Sequence, residues 1–415
     1  MSTLAQPARA GIPRRRVSLS DWLVAGYVVC LPVQIDIVGY HLAPSDLFLI
    51  LTLCLAAFGL VTIKYVRSAW SIWHAGLVLV FCYSMLVAFA HMGYVTPYAI
   101  INKTLGLLVL FAGYAMIVGR VDNWQRARGM LRLFVGSTAL LNTLAVAGFI
   151  LVRTSGFNIP SLRLDEPRLS GLLIDPNAYG GLLAVALSVH LLTQDTREPL
   201  IGGLTGKLAT LGLAIGMLLT YSRSAWIGMI SLILIAIVLR PKTAIHLAVI
   251  IAIAGIVIVG ALGTDYLGDM SQLSSRGTQE SRIALITDAI PMFWQSPILG
   301  IGLGVFEQRI GVIIHNTPIW ILTECGVVGF AIFTGFVLWI QLRGLNAYLL
   351  ADRNRKPLVL GLIAASLAML GLSLGIEALY QRHLWMVWAL MASCHTLLKQ
   401  RAKTAFAYRE NEPCA

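Results

Sequence analysis

His315 and Asn316 stand side by side at the mouth of an apolar run that opens near residue 317. Pro318 suits the first turn of a helix there. A histidine titrates near neutral pH, so one placed at a water–membrane boundary is a candidate proton acceptor. Arginines accompany it. Arg153, Arg163, Arg168, Arg223, Arg276, Arg282, Arg309 and Arg382 all fall in segments that the apolar pattern puts on the same side of the chain as His315. Lysine is nearly absent from those segments, Lys103 being the exception. Arginine and lysine weigh alike in setting topology. Only arginine offers a planar fork matched to phosphate oxygens. Its selection points to an anionic, phosphate-bearing ligand. The competing explanation pairs these arginines with Asp165, Glu166, Asp265, Asp269 and Glu280, or with lipid headgroups.

Two further stretches bear on this group. Residues 281–295, SRIALITDAIPMFWQ, carry Ile283, Ile286, Ala289, Ile290 and Phe293 at helical spacing. That pattern predicts an amphipathic helix on a membrane surface, with Arg282 in its first turn. SPILGIGLGVF follows, where Gly300, Gly302 and Gly304 permit a tight turn or a close approach to a ligand. They lack the strand and helix that frame a dinucleotide fingerprint. The other histidines are scattered, and no pair has metal-ligand spacing. Asp265 and Asp269 share a helix face, but two carboxylates alone make a poor metal site. Walker, GxSxG and HExxH motifs are absent.

The elements that must hold these residues are membrane helices. Of the 415 residues, 58% are hydrophobic and 12% charged, whereas a soluble domain carries roughly 25% charge. Apolar runs predict an all-α, polytopic integral membrane protein with twelve spans, near 18–38, 44–63, 69–91, 99–119, 129–152, 177–193, 201–221, 224–239, 243–262, 317–342, 357–376 and 383–398. The chain reads as a single membrane domain, 1–415, without internal repeats. Its two long connections are 153–176 and 263–316, the latter between spans nine and ten and holding the amphipathic helix. Basic residues mark alternate connections, from Arg14-Arg15-Arg16 through Lys64, Arg120, Arg126, Arg197, Arg240 and Arg353 to Lys399. By the positive-inside rule both termini and these connections are cytoplasmic, and the two long ones lie outside. The first span reads as retained, since no small-residue cleavage site follows it. The six cysteines, mostly in apolar runs, form no pairing pattern. The net charge of +12 belongs to these loops. No basic block interleaves with aromatics in a polar segment, as nucleic-acid binding would need.

Four stretches resemble the O-antigen ligases, within the O-antigen ligase/polymerase superfamily. HNTPIWILTECGVVG, 315–329, matches His-[Asn/Ser/Gln]-x9-Gly-x-x-Gly through His315, Asn316, Gly326 and Gly329. YSRSAWIG, 221–228, is similar to the family's Arg-x3-Leu motif, with Ile227 where leucine is usual. RLSGLLIDPNAYGG, 168–181, resembles an Arg…Gly…Asp-Pro-Asn segment, and Arg282 to Phe306 a following arginine-helix and Pro-x-x-Gly-x-Gly element. Motifs thus cover about residues 165–335, and the rest agrees by span count only. The resemblance implies a glycosyltransferase of lipopolysaccharide biosynthesis in the Gram-negative inner membrane. It would move O-polysaccharide from undecaprenyl pyrophosphate to a sugar hydroxyl of lipid A–core at the periplasmic face, without metal or other cofactor. Both substrates are lipids, and no protein or nucleic-acid partner is implied. On this reading His315 is the base and Asn316 orients it or the donor. Arg223, Arg282 and Arg168 hold pyrophosphate, and Arg276, Arg309, Asp175 and Asn177 are further candidate contacts. An O-antigen polymerase is the nearest alternative, with the histidine pattern and short tail favouring the ligase. A protein O-glycosyltransferase is a third enzyme, and a flippase for lipid-linked glycan is the alternative of a different class.

Overall fold

The computed structural model describes residues 18–37, 40–155, 167–276 and 278–410. Among them run α1 (Leu19–Val29), a two-stranded hairpin of β1 (Ile35–Ile37) and β2 (Tyr40–Leu42), α2 (Pro44–Ala57), α3 (Ile72–Met92) and α4 (Gly106–Arg120), the last preceded by a π-helical stretch at Tyr98–Leu105. Then come α5 (Trp124–Ser155), α6 (Pro176–Gln194), α7 (Gly203–Leu219), α8 (Arg223–Leu239), α9 (Pro241–Arg276) and α10 (Thr278–Gln295). Short α11 (Val305–Ile310), α12 (Thr317–Leu350), α13 (Lys356–Leu372) and α14 (Arg382–Glu410) complete the order.

A helix stands at each of the twelve stretches where a span is expected. Among the described residues, five are long and apolar enough to cross a membrane: Ile72–Met92, Tyr98–Arg120, Trp124–Ser155, Pro241–Thr264 and Thr317–Leu350. Five more apolar helices are shorter. The first departs most from expectation. α1 ends at Val29 because Pro32 cannot continue it, and the hairpin occupies 35–42. Within the long connection 263–316 the chain is largely helical, beyond the one amphipathic helix expected there. α9 bends at Gly263 and continues to Arg276, and α10 extends the expected amphipathic helix to Thr278. On α10 the protein-facing residues include Leu285, Ala289 and Met292, while Ile283, Ile290 and Trp294 face outward. The helix therefore offers a second apolar face to its surroundings.

Packing and exposure both fit a membrane protein. α13 packs on α6 and α8, α14 on α4 and α12, and α3 on α12. Polar side chains such as Asn142, Ser188 and His190 are buried inside, while Leu86 on α3 and Ile256 on α9 are 71% and 72% exposed. A soluble protein rarely leaves so much apolar surface uncovered. Side-chain contacts define two ends of the bundle. At one, ion pairs join Arg126 to Asp122, Arg120 to Asp21, Arg128 to Glu198, and both Arg355 and Arg401 to Asp352. The other carries His315.

The glycine turn supports the His315 end through backbone. α12 is broken at Gly326 (φ 68°), which leaves carbonyls without their usual i+4 partners. The amides of Ile301 and Gly302 take the Thr323 and Glu324 carbonyls at 3.0 Å each, and Val327 donates to Pro297 at 2.9 Å. Glu324 is 1% exposed and accepts from the Gly304 amide at 3.0 Å, the Phe306 amide at 3.2 Å and Trp320 Nε1 at 2.7 Å. The close approach permitted by these glycines is thus made to protein. Gly302 has φ 102°, and a Cβ there would lie 2.3 Å from the Ala88 amide nitrogen on α3. Gly302→Ala should therefore combine left-handed strain of about 1–2 kcal/mol with overlap worth about 1–3 kcal/mol. Gly311 also has positive φ but open space around it, so Gly311→Ala should show the strain alone. Thermal unfolding of the two variants in detergent checks this. Equal melting shifts would mean that the contact with α3 contributes nothing.

Candidate active site

Three helix starts meet at the His315 end. Asp175 caps α6 by accepting from the Asn177 amide at 2.8 Å. Ser222 caps α8 by accepting from the Ala225 amide at 3.2 Å. Asn316 caps α12 by accepting from the Ile319 amide at 3.0 Å. Helix starts present amide N–H groups and positive dipole ends, which favour an anion nearby.

The caps are tied together by side chains. Asn177 Oδ1 accepts from Arg168 Nη2 at 2.8 Å and from Ser222 Oγ at 3.0 Å. Arg168 Nε donates to the Thr220 carbonyl at 2.8 Å. Arg168 and Asn177 thus brace the α6 start against the α7–α8 turn. Within that turn Tyr221 has φ 47°, the only positive φ of a non-glycine among the described residues. This strained turn leads directly into Arg223, the first residue of α8.

Arg282, the fifth residue of α10, approaches the same place, with Nη1 3.4 Å from Ser224 Oγ. Segment 373–378 closes the group. Asn316 Nδ2 donates to the Leu374 carbonyl at 2.9 Å, Thr317 N to the Ser373 carbonyl at 2.9 Å, and Thr317 Oγ1 to the Ile376 carbonyl at 3.0 Å. Gly375 lies between the two halves. A Cβ there would fall 1.8 Å from Ser224 Oγ and 3.3 Å from Arg282 Nη1, so only glycine lets the segment pass.

Electrostatics confirm which charges share this space. Burial lowers the Arg282 pKa below its ordinary value, Asp175 opposes that shift, and repulsion from Arg223 adds to it. The guanidinium nonetheless stays charged, since its ordinary pKa is above about 12. Burial also lowers the His315 pKa. Arg282 and Lys103 push it the same way, while Asp175 and Glu377 act in the opposite sense. Burial and the neighbouring positive charges thus disfavour the imidazolium form of His315.

The remaining outer-side arginines divide. Arg153 stacks on the Phe149 and Tyr266 rings. Arg382 makes a two-point bond to Asp46. Arg309 donates to Gln295 Oε1 at 2.9 Å. Gln295 and Arg282 lie at opposite ends of α10, about 20 Å apart along its axis, so Arg309 is remote from the group. Arg276 ends α9, and its side chain lies outside the described residues, as do Arg163 and the side chains of Asp165, Glu166, Asp265, Asp269 and Glu280.

Several residues of the group had no motif to mark them. Ser224 and Gly375 carry no chemical signal in sequence. Glu377 is a lone acid in a short connection. Lys103 had one signal, as the lysine among arginines. Among the described residues, no three His, Cys, Asp or Glu side chains are grouped as a metal site requires.

Residues 208–334 match the family described as O-antigen ligase, a segment that contains Arg223, Arg282, His315 and both motif glycines. No match was found among curated proteins.

Proposed function

Because residues 208–334 make the chain a member of the O-antigen ligase/polymerase superfamily, we propose that it transfers O-polysaccharide from undecaprenyl pyrophosphate to a sugar hydroxyl of lipid A–core. The observation that carries this reading is the convergence of His315, Arg282 and Arg223 from three separate elements. Two arginines beside each other, with Asp175 as the acid facing Arg282, form a place where a pyrophosphate relieves repulsion.

The chemistry follows from this arrangement. The acceptor oxygen attacks the anomeric carbon, and the bond from that carbon to the pyrophosphate oxygen breaks. His315 takes the hydroxyl proton. Arg282 and Arg223 offset the negative charge that develops on departing undecaprenyl pyrophosphate. Asn316 holds the backbone that presents His315, through its cap and its bond to Leu374. Arg168 acts by bracing the α7–α8 turn that carries Arg223.

The reaction is proposed for the periplasmic face of a bacterial inner membrane. Both termini would be cytoplasmic, with twelve crossings and with 153–176 and 263–316 outside. Support comes from the ordering of basic connections and from the way contacts sort them to one end of the bundle. Thr287 is exposed on α10. In a background without the exposed Cys54 and Cys82, a Thr287→Cys protein should react in intact cells with a thiol reagent that passes only the outer membrane. Reaction only after the inner membrane is opened would invert the topology.

The reaction itself is tested with purified protein in vesicles supplied with undecaprenyl-pyrophosphate glycan and lipid A–core. Glycan appearing on lipid A–core supports the ligase. Growth of the lipid-linked glycan instead would identify a polymerase, and movement across the bilayer without transfer a flippase.

A further inference from the structure

Lys103 is 1% exposed, so its charge is withdrawn from water. A buried ammonium persists only with strong compensation. Its Nζ is bonded to Glu377 Oε2 and sits 3.9 Å from the ring centroid of Trp320, 4.9 Å from that of Tyr380 and 5.0 Å from that of Tyr98. Three ring faces and one carboxylate form a cage around one cation. Tyr380 also donates to the Lys103 carbonyl at 3.1 Å, which fixes the cage to the segment carrying Glu377.

Two acids neighbour this cation, Glu324 fully buried and Glu377 with its side chain 12% exposed, and they differ in one respect. Glu324 has both oxygens engaged by the Gly304 and Phe306 amides and by Trp320. Glu377 has Oε2 engaged by Lys103, while Oε1 is buried and has no hydrogen-bond partner. Such an oxygen is costly to keep unless another state of the protein supplies a donor.

The position of Glu377 suggests that donor. Its neighbours Ile376 and Ala378 are both bonded to Thr317 Oγ1, at 3.0 Å each, two residues after His315. The backbone that presents the histidine and the backbone that presents the carboxylate are therefore one stitched unit. Charges acting on His315 come from four elements: Arg282 on α10, Asp175 at the α6 start, Lys103 on the π-helical stretch and Glu377 on the α13–α14 connection. When His315 takes a proton it becomes a second cation beside Arg282.

Resting on the ligase reading, we propose that Glu377, anchored by its bond to Lys103, is the positioning carboxylate that accepts a hydrogen bond from His315 once it has taken the acceptor's proton. No bond to carbon is made by Glu377. The proton stays on His315 until water or the departing pyrophosphate carries it away. The negative charge of Glu377 makes His315 more basic, and the bond to Lys103 fixes where that charge sits.

The test is the pH dependence of single-turnover transfer by full-length protein in vesicles. Wild-type, Glu377→Gln and Glu377→Asp proteins are compared with saturating undecaprenyl-pyrophosphate glycan. Removing the negative charge makes His315 less basic, so the Gln variant's base limb should move to lower pH by about half a unit or more. Its plateau should fall by about tenfold or more, because a weaker base takes the proton less readily. The Asp variant keeps the charge with shorter reach, and its limb and plateau should fall between. A lowered plateau with an unmoved limb in the Gln variant would show a merely structural role and overturn the inference. If the Gln protein does not accumulate, an Asp variant with wild-type limb and plateau overturns it equally. Wild-type protein that transfers no glycan at any pH refutes the ligase reading itself, and the inference with it.

Discussion

Replacing His315 with alanine is expected to lower glycan transfer by about 10²–10⁴-fold, the range usual for loss of a general base. The protein should still accumulate in the membrane. His315 lies just before α12, and the contacts that seat that helix belong to Asn316 and Thr317, which the substitution leaves in place. Donor lipid should still bind, since Arg282 and Arg223 are untouched. The wild-type rate should rise with pH through an apparent pKa below the ordinary histidine value of about 6.5. The sign follows from the surroundings: burial and then Arg282 disfavour the imidazolium, so neutral His315 already dominates at lower pH. The plateau then extends upward from there. An alanine variant keeping more than about a tenth of the wild-type rate would remove His315 from the base role. A variant that loses donor binding would make it a binding residue instead.

Arg223→Lys should cost about 10²–10³-fold in transfer, comparable to losing a donor to developing negative charge. Charge is preserved in this variant, so the expected loss isolates geometry. Arg223 opens α8 directly after the strained Tyr221–Ser222 turn, and it faces Arg282. A fork in that place reaches two phosphate oxygens at once, whereas an ammonium reaches as a point. The matching Arg353→Lys, at the ion-pair end, should leave transfer unchanged. Near-normal transfer by Arg223→Lys at normal protein level would mean that point charge suffices there.

What the sequence could and could not disclose follows from where each kind of information resides. Arg223, Arg282 and His315 were legible because their side-chain types are costly at a membrane boundary without a purpose, and motif spacing tied them together. Helices were legible because lipid demands long apolar runs. The glycine triplet left two readings open, a close approach to a ligand or a tight turn. The second applies, because the partner is the carbonyl ladder broken at Gly326, and a broken ladder has no signature in composition. Arg309 read as a further candidate contact, yet the length of α10 separates it from Arg282. The stretch 263–316 looked like a loop because its polar residues interrupt the apolar pattern, although helix formation tolerates them. Lys103 and Glu377 were out of reach for another reason. They are 274 positions apart, and neither has meaning until the chain brings them together.

That separation bears on the order in which the protein is made. Arg168, Arg223 and Arg282 are joined through α6, α7, α8 and α10, all emerging from the ribosome before α12. His315 is different, because the backbone that seats it needs Ser373 to Ala378, and its charged neighbour Lys103 waits from early in synthesis for Glu377. Chains grow from the N-terminus, and long-range contacts close last. On the proposed mechanism, a nascent chain assembles its anion-holding part first and its proton-accepting part only when the final helical hairpin enters the membrane. A chain halted after α13 would then carry the arginines of the site with an unseated histidine, and is expected to detain a lipid pyrophosphate but not to discharge it.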